Sequence, residues 1–213
     1  MLSVSILGNG PSIKFYRKKN SFNDLIIGTN NIFYLKHFNL IKQENNYYTA
    51  YDERFFKKGF ENWIHHLERF KGKIFFPASW KNKKELKNLK KINYSLPKHN
   101  YNLVRDYLKM FSSTDDLKSS VVINNAIPLA LSLKAKLINL YGCEFRYKLD
   151  KDSKLTDSSY FYKKKNIGFD HTRSTEKIWT SIQLQQLRKI KSFLGKHNII
   201  LRDMTINGTL KFI

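Results

Sequence analysis

Ile6-Leu7-Gly8-Asn9-Gly10-Pro11-Ser12 decides how the chain is read. A short apolar strand runs straight into a glycine-rich turn, and Ser12 is a residue type that caps a helix start. Gly8 and Gly10 allow backbone angles and close approaches that a side chain would block. Backbone N–H groups at a helix start favour an anion, so strand, turn and helix in that order suit a phosphate group. The same order also makes a plain strand-to-helix connection, and the turn by itself does not separate the two readings.

Working outward, the remaining pattern alternates strands with helices. Asp24-Leu25-Ile26-Ile27-Gly28-Thr29 reads as a second buried strand that ends at Asn30-Asn31. In open α/β sheets ligands sit beyond the carboxyl ends of strands, so these asparagines either meet a base or sugar or simply make a turn. Tyr47 to Tyr51 resembles a third strand. Asp52 follows it as a helix cap or ligand contact, and a helix is predicted from about Glu53 to Phe70. Lys73 to Pro77 is a fourth strand and Lys81 to Lys91 a strongly basic helical stretch. A short strand and a helix near Tyr101 to Phe111 come next. Val121 to Lys134 reads as a buried helix with Pro128 inside it, and Leu137 to Gly142 as a central strand. From Arg146 the pattern dissolves into charged, tyrosine-bearing sequence, so 146–170 is expected to be a lid. Ser174 to Lys196 is a helix and Asn198 to Arg202 a last strand. The expected fold is a single α/β domain over 1–213, a Rossmann-like, mostly parallel sheet with helices on both faces.

Composition bounds the partners. The 213 residues carry 39 Lys and Arg against 17 Asp and Glu, a formal charge of +22, which favours anionic partners: nucleic acid, anionic lipid, or phosphorylated substrates and glycans. The single cysteine, Cys143, rules out an internal disulfide and argues against a zinc cluster. No apolar run approaches the ~18 residues of a membrane span, and the expectation is a cytoplasmic protein, held electrostatically at most on an anionic membrane face.

The ordered landmarks resemble the bacterial sialyltransferases of glycosyltransferase family 42, which use a CMP-activated sugar. The likeness rests on Gly8-Asn9-Gly10-Pro11-Ser12, on Thr29-Asn30-Asn31-Ile32-Phe33-Tyr34, and on Leu140-Tyr141-Gly142-Cys143-Glu144-Phe145. A tyrosine-bearing lid and a histidine at its exit, in Gly168-Phe169-Asp170-His171-Thr172, complete it. The resemblance implies a GT-A type nucleotide-binding domain with no metal and no other cofactor, transferring with inversion from a nucleotide-sugar donor to a glycan or glycolipid acceptor. A role in lipopolysaccharide or capsule glycan synthesis would follow. It places Gly8, Asn9, Gly10, Pro11, Ser12 and Gly142 beside the donor nucleotide, and Asn30 with Asn31 at its phosphate or ribose. His171 becomes the general base on the acceptor hydroxyl, a role suited to imidazole. Tyr160 matches one of two tyrosines on the departing phosphate. At the other position this chain has Arg146, whose guanidinium serves the same phosphate with a full charge. The Thr-Ser-Gly element of the family is absent; Ser119-Ser120 or Asn124-Asn125 stand there, and Thr205, Asn207 and Gly208 only partly match the closing turn. Altered sugar-side residues leave another keto-sugar acid, such as Kdo, open beside sialic acid.

Two other readings remain. Pterin diphosphokinases share a Gly-rich Pro-Ser start but need metal, and the sole Asp-x-Asp here, Asp150-Lys151-Asp152, sits among lysines as a solvated cluster. A basic nucleic-acid binder would explain the charge and predicts steep salt dependence, yet no helix-turn-helix, RNA-recognition or zinc-finger signature is present.

Overall fold

The computed structural model describes residues 1–16, 24–35, 43–56, 61–111, 120–144 and 173–205, so the expected lid lies outside them. Among the described residues seven strands form one sheet: β1 (Ser3–Leu7), β2 (Leu25–Thr29), β3 (Tyr47–Thr49), β4 (Lys73–Phe75), β5 (Ile92–Asn93), β6 (Leu137–Tyr141) and β7 (Ile200–Asp203). Their order is β5-β4-β3-β2-β1-β6-β7 and every pairing is parallel. Purely parallel sheets are covered on both faces, which is why these strands read as near-continuous apolar runs.

Successive residues point to opposite faces. Val4, Ile6, Ile27, Ile138 and Leu140 face one core, shared with α2 (Tyr101–Lys109), α3 (Ile127–Ser132) and α4 (Arg173–Lys196). Leu7, Ile26, Tyr48, Ile74 and Tyr141 face the other, under α1 (Glu61–Arg69). As Trp63 and Leu67 do for α1, Val104 and Tyr107 give α2 its inner stripe, which Phe111 continues just past the helix end. One polar row crosses the second face. Ser5 donates its hydroxyl to Asp24, and Asn139 donates its amide to Asp24 at 3.1 Å and to the Ser3 hydroxyl at 3.3 Å. This row ties β2, β1 and β6 in register, and nothing in the apolar periodicity announces it.

Three predicted helices come out differently. Of the run over 53–70, the described residues form a 3-10 turn at Glu53–Phe56 and the helix α1 at Glu61–Arg69. Asp52 therefore does not cap α1; its carbonyl accepts the Phe55 N–H at 3.1 Å. The basic stretch from Lys81 to Lys91 is a chain of turns around a single 3-10 turn, Lys84–Leu86, preceded by another at Ala78–Trp80. Its buried anchors, Trp80 and Leu86, are six residues apart and give no helical stripe, while lysines three and four apart repel. The third is the long buried helix of 121–134, which opens with a wider turn beside the candidate site.

Lys91 closes the carboxyl end of α1, donating to the carbonyls of Glu68, at 2.7 Å, and of Phe70. A cation there is worth about 0.3–1 kcal/mol. On the same helix, burial first, then the charges of His65 and Arg69, hold His66 below its ordinary value of 6.5. The unfolded chain thus takes up this proton before the folded one, and stability contributed by His66 is lost as pH falls below about 6.5. Melting temperatures of wild type and His66→Phe, followed from pH 8 to pH 5, should diverge, with the wild type falling more steeply at the acid end. Among the described residues no helix is long and apolar enough to cross a membrane.

Candidate functional site

The chain steps from β1 to β5 in one direction, then returns to place β6 on the other side of β1. In open parallel sheets this reversal opens a crevice at the carboxyl ends of the two strands, the usual place for a ligand. Gly8 and Gly142 lie directly after β1 and β6 at that point. The two strand ends stay zipped past the sheet: the Gly8 N–H donates to the Tyr141 carbonyl and the Gly10 N–H to the Gly142 carbonyl, each at 2.8 Å. Gly142 has φ +62°, and a Cβ on it would stand 2.6 Å from the Ile13 Cβ, so only glycine suits the position.

The turn is built differently from the expected phosphate cradle. Ser12 is not the cap; Gly10 occupies that position, Pro11 opens the first turn, and the segment is a 3-10 turn of five residues, Pro11–Phe15. The Ser12 N–H, which the sequence reading offers to a phosphate, donates instead to the Glu144 carboxylate at 2.7 Å. A Cβ at Gly10 would lie 1.5 Å from Glu144 Oε2, so Gly10 is glycine to admit this side chain. Glu144 is only 6% exposed.

Asn9 and Asn30 are held at the neighbouring strand end. Asn9 Nδ2 donates to the Thr29 carbonyl at 2.8 Å and to Thr29 Oγ1 at 3.1 Å, while that hydroxyl donates to the Leu7 carbonyl at 2.8 Å. Asn30 takes φ +46°, the left-handed region that asparagine tolerates best after glycine. Its carbonyl accepts the Tyr48 hydroxyl at 2.6 Å, and Tyr48 in turn accepts the Trp63 Nε1–H at 2.6 Å. This chain from α1 through β3 fixes the strained residue. Tyr48→Phe strands the buried indole N–H, so stability should drop by about 1–3 kcal/mol, read as a lower melting temperature. Asn31 follows Asn30 in the same 3-10 turn, Asn30–Tyr34. Three buried oxygens here have no hydrogen-bond partner among the described residues: Asn9 Oδ1, Ser12 Oγ and Asn30 Oδ1.

Asn124 and Asn125 belong to a π-helical turn, Val122–Ala126, that precedes α3. Pro128 accounts for it. Proline cannot donate to the carbonyl four residues back and its ring crowds that group, so the ladder widens. In the wider register residue 128 would serve the Ile123 carbonyl; the buried Tyr107 hydroxyl does so instead, at 2.8 Å. The outcome is that Asn125 Nδ2 reaches the carboxyl end of β3, donating to Thr49 Oγ1 at 3.1 Å and the Ala50 carbonyl at 3.2 Å. Ser120 is structural, its hydroxyl accepting the Val122 N–H at 3.2 Å.

Cys143 is buried, and burial above all, then the neighbouring Glu144 and Asp203 carboxylates, push its thiol well up, which disfavours the thiolate. Its backbone N–H donates to Thr205 Oγ1 at 3.1 Å, which ties the end of β6 to the segment after β7. Of the residues singled out in the sequence, Gly8, Asn9, Gly10, Pro11, Ser12, Asn30, Asn31 and Gly142 gather after β1, β2 and β6, and Asn125 joins them beside β3, with Asn124 preceding it in the π-helical turn. Arg146, Tyr160, His171 and the 207–208 part of the closing turn lie outside the described residues. Sequence reasoning overlooked Glu144 as a site group. Its signal was an acid directly after a central strand in a chain poor in acids.

No protein-family model matches the chain, and no curated protein does. Solved structures do. The Campylobacter jejuni sialyltransferase CstII, in complex with the substrate analogue cytidine-5'-monophosphate, matches at TM-score 0.57 and 16% identity, over 100% of this chain and 83% of its own. CstII with CMP-3FNeuAc matches at TM-score 0.59 and 15% identity, covering 100% and 84%. CstII with a trisaccharide acceptor and CMP matches at 0.58 and 17%, covering 99% and 84%. From end to end, the chain is built on a fold similar to that of the sialyltransferase CstII.

Proposed function

We propose that the protein is an inverting, metal-independent glycosyltransferase that moves sialic acid, or a related keto-sugar acid such as Kdo, from a CMP-activated donor to a glycan hydroxyl. The observation that carries this reading is a whole-chain likeness to a fold solved with CMP and with acceptor. It is supported by Asn9 Oδ1, Ser12 Oγ and Asn30 Oδ1, buried without a hydrogen-bond partner among the described residues at the sheet's reversal point. The donor nucleotide lies along Gly8 to Ser12, Asn30, Asn31 and Gly142, with Asn124 and Asn125 toward the sugar. His171 takes the proton of the acceptor hydroxyl as its oxygen bonds to the anomeric carbon. The bond from that carbon to the phosphate oxygen breaks on the opposite face, and CMP leaves with the electron pair. Arg146 and Tyr160 meet the charge that grows on the departing phosphate. The positive charge of the chain suits a peripheral position on the cytoplasmic face of an anionic membrane.

Thermal-shift measurement against a panel of nucleotides tests the reading. At a hundredfold excess over its Kd, CMP should add about 2.7 kcal/mol, a rise of roughly 5–10 °C for a chain of this size, with UMP and GMP giving less. Transfer from a CMP-sugar should persist in EDTA. A flat response to cytidine nucleotides, together with tight binding of duplex or single strands in a gel shift, would reverse the assignment.

A further inference from the structure

The basic stretch after β4 is one backbone unit used twice. The Trp80 N–H donates to the Pro77 carbonyl at 2.9 Å, Lys81 to Ala78 at 3.1 Å and Lys83 to Trp80 at 3.0 Å. Six residues on, the Leu86 N–H donates to the Lys83 carbonyl at 3.1 Å, Lys87 to Lys84 at 3.3 Å and Leu89 to Leu86 at 3.0 Å. The backbone angles repeat as well. Pro77 and Lys83 are extended, at ψ 144° and ψ 124°, while Lys81 and Lys87 are helical, at ψ −34° and ψ −33°. Trp80 and Leu86 hold the same place in the two units, and both are buried. A unit that returns the same position to the core has advanced along the core's surface without turning, so its outward positions fall in a row. Lys81-Asn82 and Lys87-Asn88 are those positions, with Lys84 and Lys90 three residues after each lysine, and all six are exposed. The four lysines follow one another on the order of 6 Å apart along the backbone. Among the described residues none of them is paired with a carboxylate, and held this close they repel one another. Lys83 and Lys91 are engaged inside the fold, Lys83 lying 5.1 Å over the Phe56 ring and Lys91 closing α1.

A repeating anion relieves that repulsion, and the composition of the row selects among polyanions. No arginine stands between Arg69 and Arg105, and the one aromatic ring of the two units, Trp80, is 1% exposed. The row therefore offers no platform on which the bases of a single strand could stack. None of its large apolar side chains is exposed, so nothing on it enters lipid. What repeats beside the cation is an amide, Asn82 and then Asn88, which both donates and accepts. Cation and amide in alternation fit a polymer that presents an anion and hydroxyls at intervals, the chemistry of an acidic glycan. Because β4 and β5 are parallel, the segment joining them runs from the carboxyl edge of the sheet, where the crevice opens, to the amino edge.

We propose that the strip from Lys81 to Lys90 binds the body of an acidic acceptor glycan, carrying carboxylates or phosphates along its length, while the end of that glycan enters the crevice. The proposal rests on the glycosyltransferase reading. Calorimetry on the full chain tests it with two probes of graded length: oligomers of sialic acid for carboxylates, and oligo(glycerol phosphate) for phosphates. Wild type should bind one series about tenfold more tightly at six units than at two, since each further exposed ion pair adds a small increment. Added salt should erase most of that gain. The series that shows the gain identifies the anion. The quadruple variant Lys81→Gln, Lys84→Gln, Lys87→Gln, Lys90→Gln should lose the length dependence. The control Lys136→Gln, Arg188→Gln, Lys189→Gln, Lys196→Gln removes as many exposed charges before β6 and on α4, and should keep it. Asn82→Ala with Asn88→Ala leaves every charge in place and should weaken the longer oligomers about threefold. Equal losses in the two quadruple variants overturn the proposal, as does absence of length dependence in both series. So does tighter binding of an oligonucleotide, or of phosphatidylglycerol vesicles, that the strip variant alone loses. CMP binding, read on the same samples, should be unchanged throughout. A chain that binds CMP and ignores the oligomers overturns the proposal alone; one that binds neither overturns the glycosyltransferase reading with it.

Discussion

Gly8→Ala should lower the melting temperature by roughly 6–12 °C. The added methyl would stand 2.4 Å from the Gly142 carbonyl oxygen and 2.8 Å from Cys143 Sγ. The first of these is backbone and cannot rotate away. It belongs to a seam pinned on both sides, by Gly8 to the Tyr141 carbonyl and by Gly10 to the Gly142 carbonyl. Relief requires parting the ends of β1 and β6, the two strands at the centre of the site. Overpacking against fixed neighbours costs about 3 kcal/mol at the upper end of its usual range. For a chain of this length each kcal/mol corresponds to about 2–4 °C. Gly195→Ala is the matched control. It lies in α4 with nothing within 4 Å of the new methyl, so helix propensity should raise stability by about 0.5–1 kcal/mol. Calorimetric scans of the two variants should move in opposite directions; a fall of under ~2 °C for Gly8→Ala would show that the seam yields.

The larger functional effect is expected at His171. On the proposed mechanism its imidazole removes the acceptor proton, a contribution worth about 10²–10⁴-fold in rate. His171→Ala should lose turnover on that scale while CMP binding and the melting temperature stay close to wild type. The pH profile is the sharper readout. A base must be neutral to act, so wild-type turnover should rise with pH through the imidazole range near ~6.5, and the variant's residual activity should lack that limb. Full activity in the variant would remove His171 from the chemistry.

The parts of this fold legible in the sequence are those governed by periodicity. Buried parallel strands write themselves as runs such as Leu25-Ile26-Ile27 and Leu137-Ile138, and strand alternation with helices leads to one parallel sheet. The site's glycines were also legible as positions, since Gly8, Gly10 and Gly142 do sit at the reversal point. Their reasons were not. Gly10 is glycine because the side chain of Glu144, far along the chain, passes over it, and no local pattern reports a contact with that separation. The basic stretch misled because lysine has good helix propensity, while the decisive fact was the spacing of Trp80 and Leu86. The polar row of Ser5, Asp24 and Asn139 was invisible for a related reason: each residue reads as a minor interruption in an apolar strand until three strands are set side by side.

The π-helical turn at Val122–Ala126 bears on how this chain lines up with others of its fold. Such a turn is an α-helix carrying one surplus residue, and closing it rotates the residues on its amino-terminal side by about 100° relative to those on its carboxyl-terminal side. Asn125 reaches β3 through that surplus as much as through its own chemistry. A chain with a regular helix here would present a different position to the same strand end. Against such a chain, correspondence by residue type would slip by one across this helix, and equivalents of Asn124 and Asn125 would be sought by counting back from Pro128 through the widened turn.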